Sequence, residues 1–498
     1  MGFIGKIVLL GIVVAIGAVL YSQFLAPDPP LPHIPELWFG KNALKAGQAI
    51  PKDPEDINKF SVKVSDEVLN DLKRRLESAR YVEPIPGTQF NYGFNADYLK
   101  KVVDHWRTQF NWRTQEKELN KFTQYTTKIN GIDIHFLHVK PSKPAKTVVP
   151  LMVIHGWPGS VWEYYKAIPM LIEPTNDIAF EIICPSIPGY GFSEAPHQPG
   201  FDVTQTSRIF LKLMHRLNHK TFFVHGGDWG MRLDVTQTSR IFLKLMHRLN
   251  HKTFFVHGGD WGSIISKTMA TLYPEHIRGV HTTFSGNMNL KGMALVKFIT
   301  GMYAPSLVFA NPDKDYQKSY PALDKFYFML RESGYMHLQA TKPDTIGAAL
   351  IDSPVGLAAY ILEKFSTWTN PDNVRKSDGA LTQKFTLDEL LTNIMIYWTS
   401  NNVASSMRYY KESLTRIPVS AAVPAAVADF PHELLRSPKE LTQYLYKNLV
   451  QYTDMPRGGH FGAFEEPKLM ADDLKKFVRK VLDLEANDRL NKQKSNEL

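Results

Sequence analysis

From position 7 to position 21 every residue is apolar or glycine, and Phe24, Leu25 and Ala26 prolong the run before Pro27, Pro29 and Pro30. A helix rises ~1.5 Å per residue, so about 20 residues cover the ~30 Å core of a bilayer. Proline lacks the backbone donor and ends the helix. The pattern predicts a single-pass anchor over residues 1–26. A cleaved signal peptide, with Lys6 as its positive region and a site near Ala15, Gly17 and Ala18, is the rival reading. Residues 27–52 are proline-rich and predicted to run extended over the surface. Helical spacing starts after Ser65-Asp66, with Val68, Leu69, Leu72 and Leu76 on one stripe, and again after Asn95-Ala-Asp97, with Tyr98, Val102, Val103 and Trp106. Strand-like runs at 125–129 and 132–139 flank Asn130-Gly131, a strong hairpin signal.

Beyond the hairpin the pattern changes. Short apolar runs at 148–154, 181–184, 253–257 and 279–284 alternate with helical stretches, as expected of buried parallel strands. This alternation predicts an α/β fold with a doubly wound, mostly parallel sheet. Residues 290–415 break it with aromatic-rich helical patterns and are predicted to form an inserted cap. The predicted organisation is an anchor (1–26), an N-terminal domain (27–145), a first core part (146–289), the cap (290–415), a second core part (416–485) and a polar tail (486–498).

One stretch occurs twice: residues 202–230 and 234–262 are identical. Stacked-repeat folds need about three units, so this is no solenoid. Each copy encodes a helix, a strand and a turn, and a sheet of fixed strand order has room for one set. The second copy continues into 263–273, an apolar-striped helix stopped by Pro274. It is therefore the predicted working copy, with residues 200–233 extruded or displacing their twin.

The net charge of +9 is dispersed through mixed-sign stretches. Nucleic-acid binding requires a clustered basic face, so that class is set aside. The lone Cys184 excludes an internal disulfide and reads as a core thiol. No His/Cys cluster has metal-ligand spacing, and no metal is expected.

Chemistry concentrates at a few turns. Gly258-Gly-Asp-Trp-Gly262 lies between a strand and a helix and has the G-x-D-x-G form, parallel to the G-x-S-x-G nucleophile elbow of α/β-hydrolases. Glycines permit a sharp turn, and the helix N-terminus favours a carboxylate there. An aspartate at that point attacks an activated sp³ carbon to form an ester; alternatively it only caps the helix. His155-Gly-Trp-Pro-Gly159 follows a strand, where hydrolases turn a backbone N–H toward an oxyanion. Here the backbone donors are Trp157 and Trp261. His460, in the Gly-rich run Arg457-Gly-Gly-His-Phe461, occupies the place of the base in the order nucleophile, acid, base. Asp429 and Glu433 both qualify as the acid.

HGWPGS at 155–160, PGYGFS at 188–193, GGDWGS at 258–263, SGYMH at 333–337 and RGGHF at 457–461 resemble the microsomal epoxide hydrolases, including the similar juvenile hormone epoxide hydrolases of insects. The likeness spans nearly the whole chain. It implies an α/β-hydrolase that converts lipophilic epoxides to vicinal diols, with Asp260 as nucleophile, His460 as base and Glu433 as its acid. It also implies that Tyr335 and Tyr410 reach from the cap to the epoxide oxygen, that no cofactor is used, and that the protein sits in the endoplasmic reticulum membrane. The duplication departs from the pattern and supplies an alternative nucleophile, Asp228. A haloalkane dehalogenase-like Asp hydrolase and a catalytically inactive, membrane-bound lipid-binding homologue are the competing readings. Oligomeric state is not legible.

Overall fold

The computed structural model describes residues 21–22, 35–217, 254–286, 290–413 and 420–496. Most of the apolar run at 7–21, Asp228, and the junction between the two repeat copies lie outside them.

After an irregular stretch over 35–57, strand β1 (Asn58–Phe60) leads to three helices, α1 (Asp66–Glu77), α2 (Ala96–Thr108) and α3 (Trp112–Leu119). The first two are capped as the sequence predicts: Ser65 accepts from the Val68 N–H, and Asn95 from those of Asp97 and Tyr98. Strands β2 (Gln124–Ile129) and β3 (Ile132–Val139) form the expected hairpin. Asn130 and Gly131 both have positive φ, the conformation of a tight primed turn. Asp53 fixes that turn by accepting from both of its amides at 2.6 and 2.9 Å.

The core alternates strand and helix: β4 (Thr147–Ile154), β5 (Ile178–Pro185), α4 (Val203–Arg216), β6 (Phe254–Gly258), α5 (Asp260–Leu272) and β7 (Ile277–Thr282). Each strand interior is buried, as its unbroken apolar run requires. Helices α6 (Met293–Tyr303), α7 (Pro312–Ser319), α8 (Ala322–Glu332), α9 (Gly334–Thr341), α10 (Pro343–Leu350), α11 (Pro354–Thr367), α12 (Leu387–Ser400) and α13 (Val403–Ser413) then form a cap. Strands β8 (Ala421–Asp429) and β9 (Tyr446–Asp454) and the long helix α14 (Pro467–Asn496) return to the core. The nine strands form one sheet in the order β1-β2-β3-β5-β4-β6-β7-β8-β9. It is antiparallel from β1 to β5 and parallel from β5 to β9.

One expectation is corrected in part. Residues 200–233 are not extruded as a block, because helix α4 is the first copy's helix. It packs on α5, with its N-cap Asp202 accepting from Thr204 and Gln205 at 3.0 Å. Strand β6 and the turn after it come from the second copy. One complete unit is thus assembled from halves of two segments identical in sequence. Helix α14 runs without a break through the polar stretch after residue 485 to Asn496.

Candidate active site

The turn between β6 and α5 places Asp260 at φ +47°, a left-handed conformation rare for a residue with a side chain. Two glycines make the turn possible. A Cβ on Gly258 would lie 2.2 Å from the carbonyl carbon of Gly262, and one on Gly262 would lie 1.9 Å from the Ile154 oxygen. The turn therefore presses against the end of β4, and Asp260 projects at the C-terminal edge of the parallel strands.

The loop after β4 meets it there. The Trp157 N–H donates to Asp260 Oδ1 at 2.8 Å. No hydrogen bond is found for the Trp261 N–H among the described residues. His155, buried and held by burial at about 4, is neutral at physiological pH; its Nε2 accepts from the Ile187 N–H at 3.1 Å, tying this loop to the PGYGFS loop. The cap grips the same loop. Asn393 donates to the Pro158 carbonyl at 2.7 Å and Tyr397 to that of Gly159 at 2.8 Å, both from α12.

His460 arrives on the loop after β9. Its Nε2 stands 3.4 Å from Asp260 Oδ2, and its Nδ1 is 2.6 Å from Glu433 Oε1. The two oxygens of Asp260 thus have different neighbours, a backbone donor on one and an imidazole on the other. Backbone contacts hold the ring in place: the His460 N–H donates to the Trp368 carbonyl at 3.0 Å. The Glu465 carboxyl accepts from the Gly459 and Phe461 amides, both at 2.9 Å. Burial opposes a charge on His460, but Glu433 and Asp260 outweigh it and raise its pKa well above the ordinary value. Of the two carboxylates left open by sequence, Asp429 is committed elsewhere. It pairs with Arg436 at 2.6 Å, accepts from Ser285 at 3.1 Å and lies 3.5 Å from Lys318.

Above the carboxylate is a wall of rings. Tyr335 stacks on Trp157 with centroids 5.0 Å apart and planes within 8°. Tyr410 stands edge-on to Trp261 at 4.8 Å and to Tyr335 at 5.9 Å. Burial, then the charge of Asp260 for Tyr335 and the neighbouring Tyr335 ring for Tyr410, holds both phenols well above 10, so they remain protonated donors. The structure thus brings Asp260, His460, Glu433, Trp157, Trp261, Tyr335 and Tyr410 together. Asp228 lies outside the described residues. Sequence reasoning missed Trp368, Asn393 and Tyr397, which no local pattern distinguishes from core helix residues. It also missed Glu163, which the Ser160-x-x-Glu163 spacing of a capping box could have flagged. Cys184 lies buried in β5, its thiol pushed up by burial, as expected of an inert core residue. Among the described residues, no group of His, Cys, Asp and Glu is arranged to hold a metal.

Comparison with known proteins agrees with this geometry. Residues 57–164 match the family described as epoxide hydrolase N terminus, and residues 149–233 match the alpha/beta hydrolase fold. The second match ends just after the first repeat copy, whose turn is identical in sequence to the one described above. Epoxide hydrolase 1 of Sus scrofa is 44% identical over 455 residues, 89% of this chain and 92% of that protein. Juvenile hormone epoxide hydrolase 2 of Ctenocephalides felis is 41% identical, covering 96% of each. The crystal structure of juvenile hormone epoxide hydrolase from the silkworm Bombyx mori superposes with a TM-score of 0.78 at 36% identity, over 90% of this chain and 99% of that one. The Aspergillus niger epoxide hydrolase structure gives 0.67 at 25% identity, over 87% and 100%. With that identity sustained across some nine-tenths of its length, on an α/β-hydrolase core with a helical cap, this chain belongs to the epoxide hydrolase family and is itself an epoxide hydrolase.

Proposed function

We propose that Asp260 is the nucleophile, His460 the base, Glu433 the acid that orients it, and Tyr335 and Tyr410 the donors that activate the epoxide. The single observation that carries this reading is the pair of contacts on Asp260, with Trp157 N–H on one oxygen and His460 on the other. The oxygen not held by Trp157 attacks a ring carbon as the C–O bond breaks. The phenols hydrogen-bond the departing oxygen, and one passes its proton to it to make a hydroxyl, the phenolate left behind regaining a proton from solvent. Neutral His460 then removes a proton from water, and the water oxygen attacks the Asp260 carboxyl carbon. Charge develops on Oδ1, where the Trp157 and Trp261 amides stabilise it. Collapse expels the diol oxygen, protonated by the imidazolium, and leaves one water oxygen in the carboxylate. Two phenols above the carboxylate suit an epoxide oxygen better than the halide of a dehalogenase, and a complete constellation argues against an inactive homologue.

The test is single-turnover reaction with styrene oxide. Asp260→Ala should lower diol formation at least ~10³-fold. His460→Gln should accumulate an ester on the peptide carrying Asp260, cut so that Ser263 marks it against the peptide of Asp228. An ester on the Asp228 peptide, or none at all, defeats the assignment.

The substrates we infer are lipophilic epoxides, supported by the aromatic walls around Asp260. We also propose that the chain divides as its sequence pattern suggests (1–26, 27–145, 146–289, 290–415, 416–485, 486–498) and resides in the endoplasmic reticulum membrane through the single apolar run near its start. Among the described helices no single one is long and apolar enough to cross a bilayer, and that run lies almost wholly outside them. Exposed apolar side chains on the cap, among them Met293, Ile299, Tyr303, Leu323, Phe326 and Leu330, add a second surface suited to lipid. Deleting residues 1–26 should weaken membrane attachment; unchanged retention in carbonate-washed microsomes would count against the anchor.

A further inference from the structure

The steps above leave one half-buried acid, just beyond the loop of Trp157, without a part. Glu163 lies on the 3₁₀ turn Val161–Tyr164, which follows the loop bearing Trp157. Its side chain folds back over that loop, and Oε1 lies 1.2 Å from where a Cβ on Gly159 would be. The missing side chain of Gly159 is therefore the space that the Glu163 carboxyl fills. The Ser160 backbone N–H hydrogen-bonds the carboxyl, as in a capping box, but it has no ion pair among the described residues. Asp260 and His460 both act on it electrostatically. Tyr164 and Cys184 face it from the core and Tyr397 from the cap. Burial and the charge of Asp260 raise the carboxyl to about 8 despite the opposing pull of His460, so it is mostly protonated near neutral pH.

Capping alone does not account for this placement. A capping box uses one carboxylate oxygen and works best ionised and solvated. Here the group is half-buried and uncharged, folded over the Gly159 position of the same loop whose Trp157 amide holds Asp260. A neutral carboxyl offers one acceptor and one donor without repelling the Asp260 anion. Water attacking an ester has two hydrogens: one leaves to the base, and the other must be held if the oxygen is to point at the carboxyl carbon.

We propose that Glu163 is a positioning residue for ester hydrolysis, its carboxyl accepting a hydrogen bond from the second hydrogen of the water that His460 deprotonates. One O–H bond breaks, its proton passing to His460 Nε2, and one O–C bond forms at Asp260. The hydrogen facing Glu163 stays on the water oxygen. Alkylation of Asp260 consumes no water, so Glu163 serves the second half-reaction only.

The inference rests on the Asp260–His460 assignment, and its test keeps the two apart. With the full chain and styrene oxide, rapid-quench mass spectrometry follows growth and decay of the ester on the Asp260 peptide. Glu163→Ala should leave ester formation within about twofold of wild type and slow its decay about 10- to 100-fold. Gly159→Ala retains the acid but puts a methyl group where its carboxyl sits, and should give the same asymmetry. Glu163→Gln keeps both the cap and an acceptor, and should hydrolyse the ester within about fivefold of wild type. Equal slowing of both half-reactions would mean Glu163 merely supports the loop. Unchanged decay in Glu163→Ala, or a glutamine variant as slow as the alanine one, would also overturn the proposal. If wild type and His460→Gln form no ester at all, the nucleophile assignment fails instead.

Discussion

His460 stands between two carboxylates, Glu433 at 2.6 Å and Asp260 at 3.4 Å, and together they raise its pKa far enough to favour the imidazolium. A base must be neutral to act, which looks like a contradiction until the order of steps is considered. Forming the ester neutralises Asp260 and removes one of the two anions holding the proton. The imidazole is then released as a base at the moment hydrolysis needs it. The same linkage bears on stability. A histidine whose folded pKa is raised contributes stability that is fully present below its unfolded value near 6.5 and lost as pH rises through the folded value. Asp260→Ala removes one cause of that shift. It also removes a charge that raises Glu163, whose ionisation at alkaline pH then costs less. Both effects act in one direction: the melting temperature of Asp260→Ala minus that of wild type should rise steadily from pH 6 to pH 10. Thermal melts across that range check it. A difference independent of pH would show that His460 and Asp260 are not electrostatically coupled in the fold.

At the scale of elements, the buried middles of the strands were legible and their ends were not. The apolar runs at 148–154 and 181–184 lie inside β4 (Thr147–Ile154) and β5 (Ile178–Pro185), where half-exposed residues such as Ile178 and Glu181 weaken the pattern. The N-caps Ser65 and Asn95 and the Asn130-Gly131 turn were readable because each depends on a local hydrogen bond or backbone conformation. Residues whose role depends on a distant element were not. Asn393 and Tyr397 sit on α12 and hold the loop of Trp157 across a separation of more than 200 residues. Lys318 is similar. Its side chain, on α7, is almost wholly buried and paired with Asp315 at 2.8 Å and with Asp454 at 2.5 Å. It also lies 3.5 Å from Asp429. A lysine in a charged, amphipathic stretch reads as solvated, yet here it joins the cap to the ends of β8 and β9. Asp429 consequently could not be told from Glu433 as the acid: one ends β8 and the other lies four residues beyond it, and only the position of Lys318 and Arg436 assigns Asp429 to the clamp.

For the whole molecule, the duplication is resolved by division of labour. Helix α4 comes from residues 203–216 of the first copy and strand β6 from residues 254–258 of the second. No sequence argument could choose this pairing, because the two copies are identical in sequence. The family match running to residue 233 illustrates the same degeneracy. The sheet needs one helix and one strand, and the physical difference lies in the connection between them. In the present chain 36 residues, 218–253, join α4 to β6 after Leu217. Deleting residues 218–249 joins Leu217 to Asn250, restores a single copy of the repeated sequence and leaves four connecting residues. Every side chain at Asp260, His460, Glu433, Tyr335 and Tyr410 is retained. The deletion variant should therefore turn over styrene oxide within about threefold of the parent, with a urea midpoint no lower than the parent's. Loss of folding or activity on deletion would mean that residues 218–249 supply contacts the site depends on, and that the duplication has become part of the working fold.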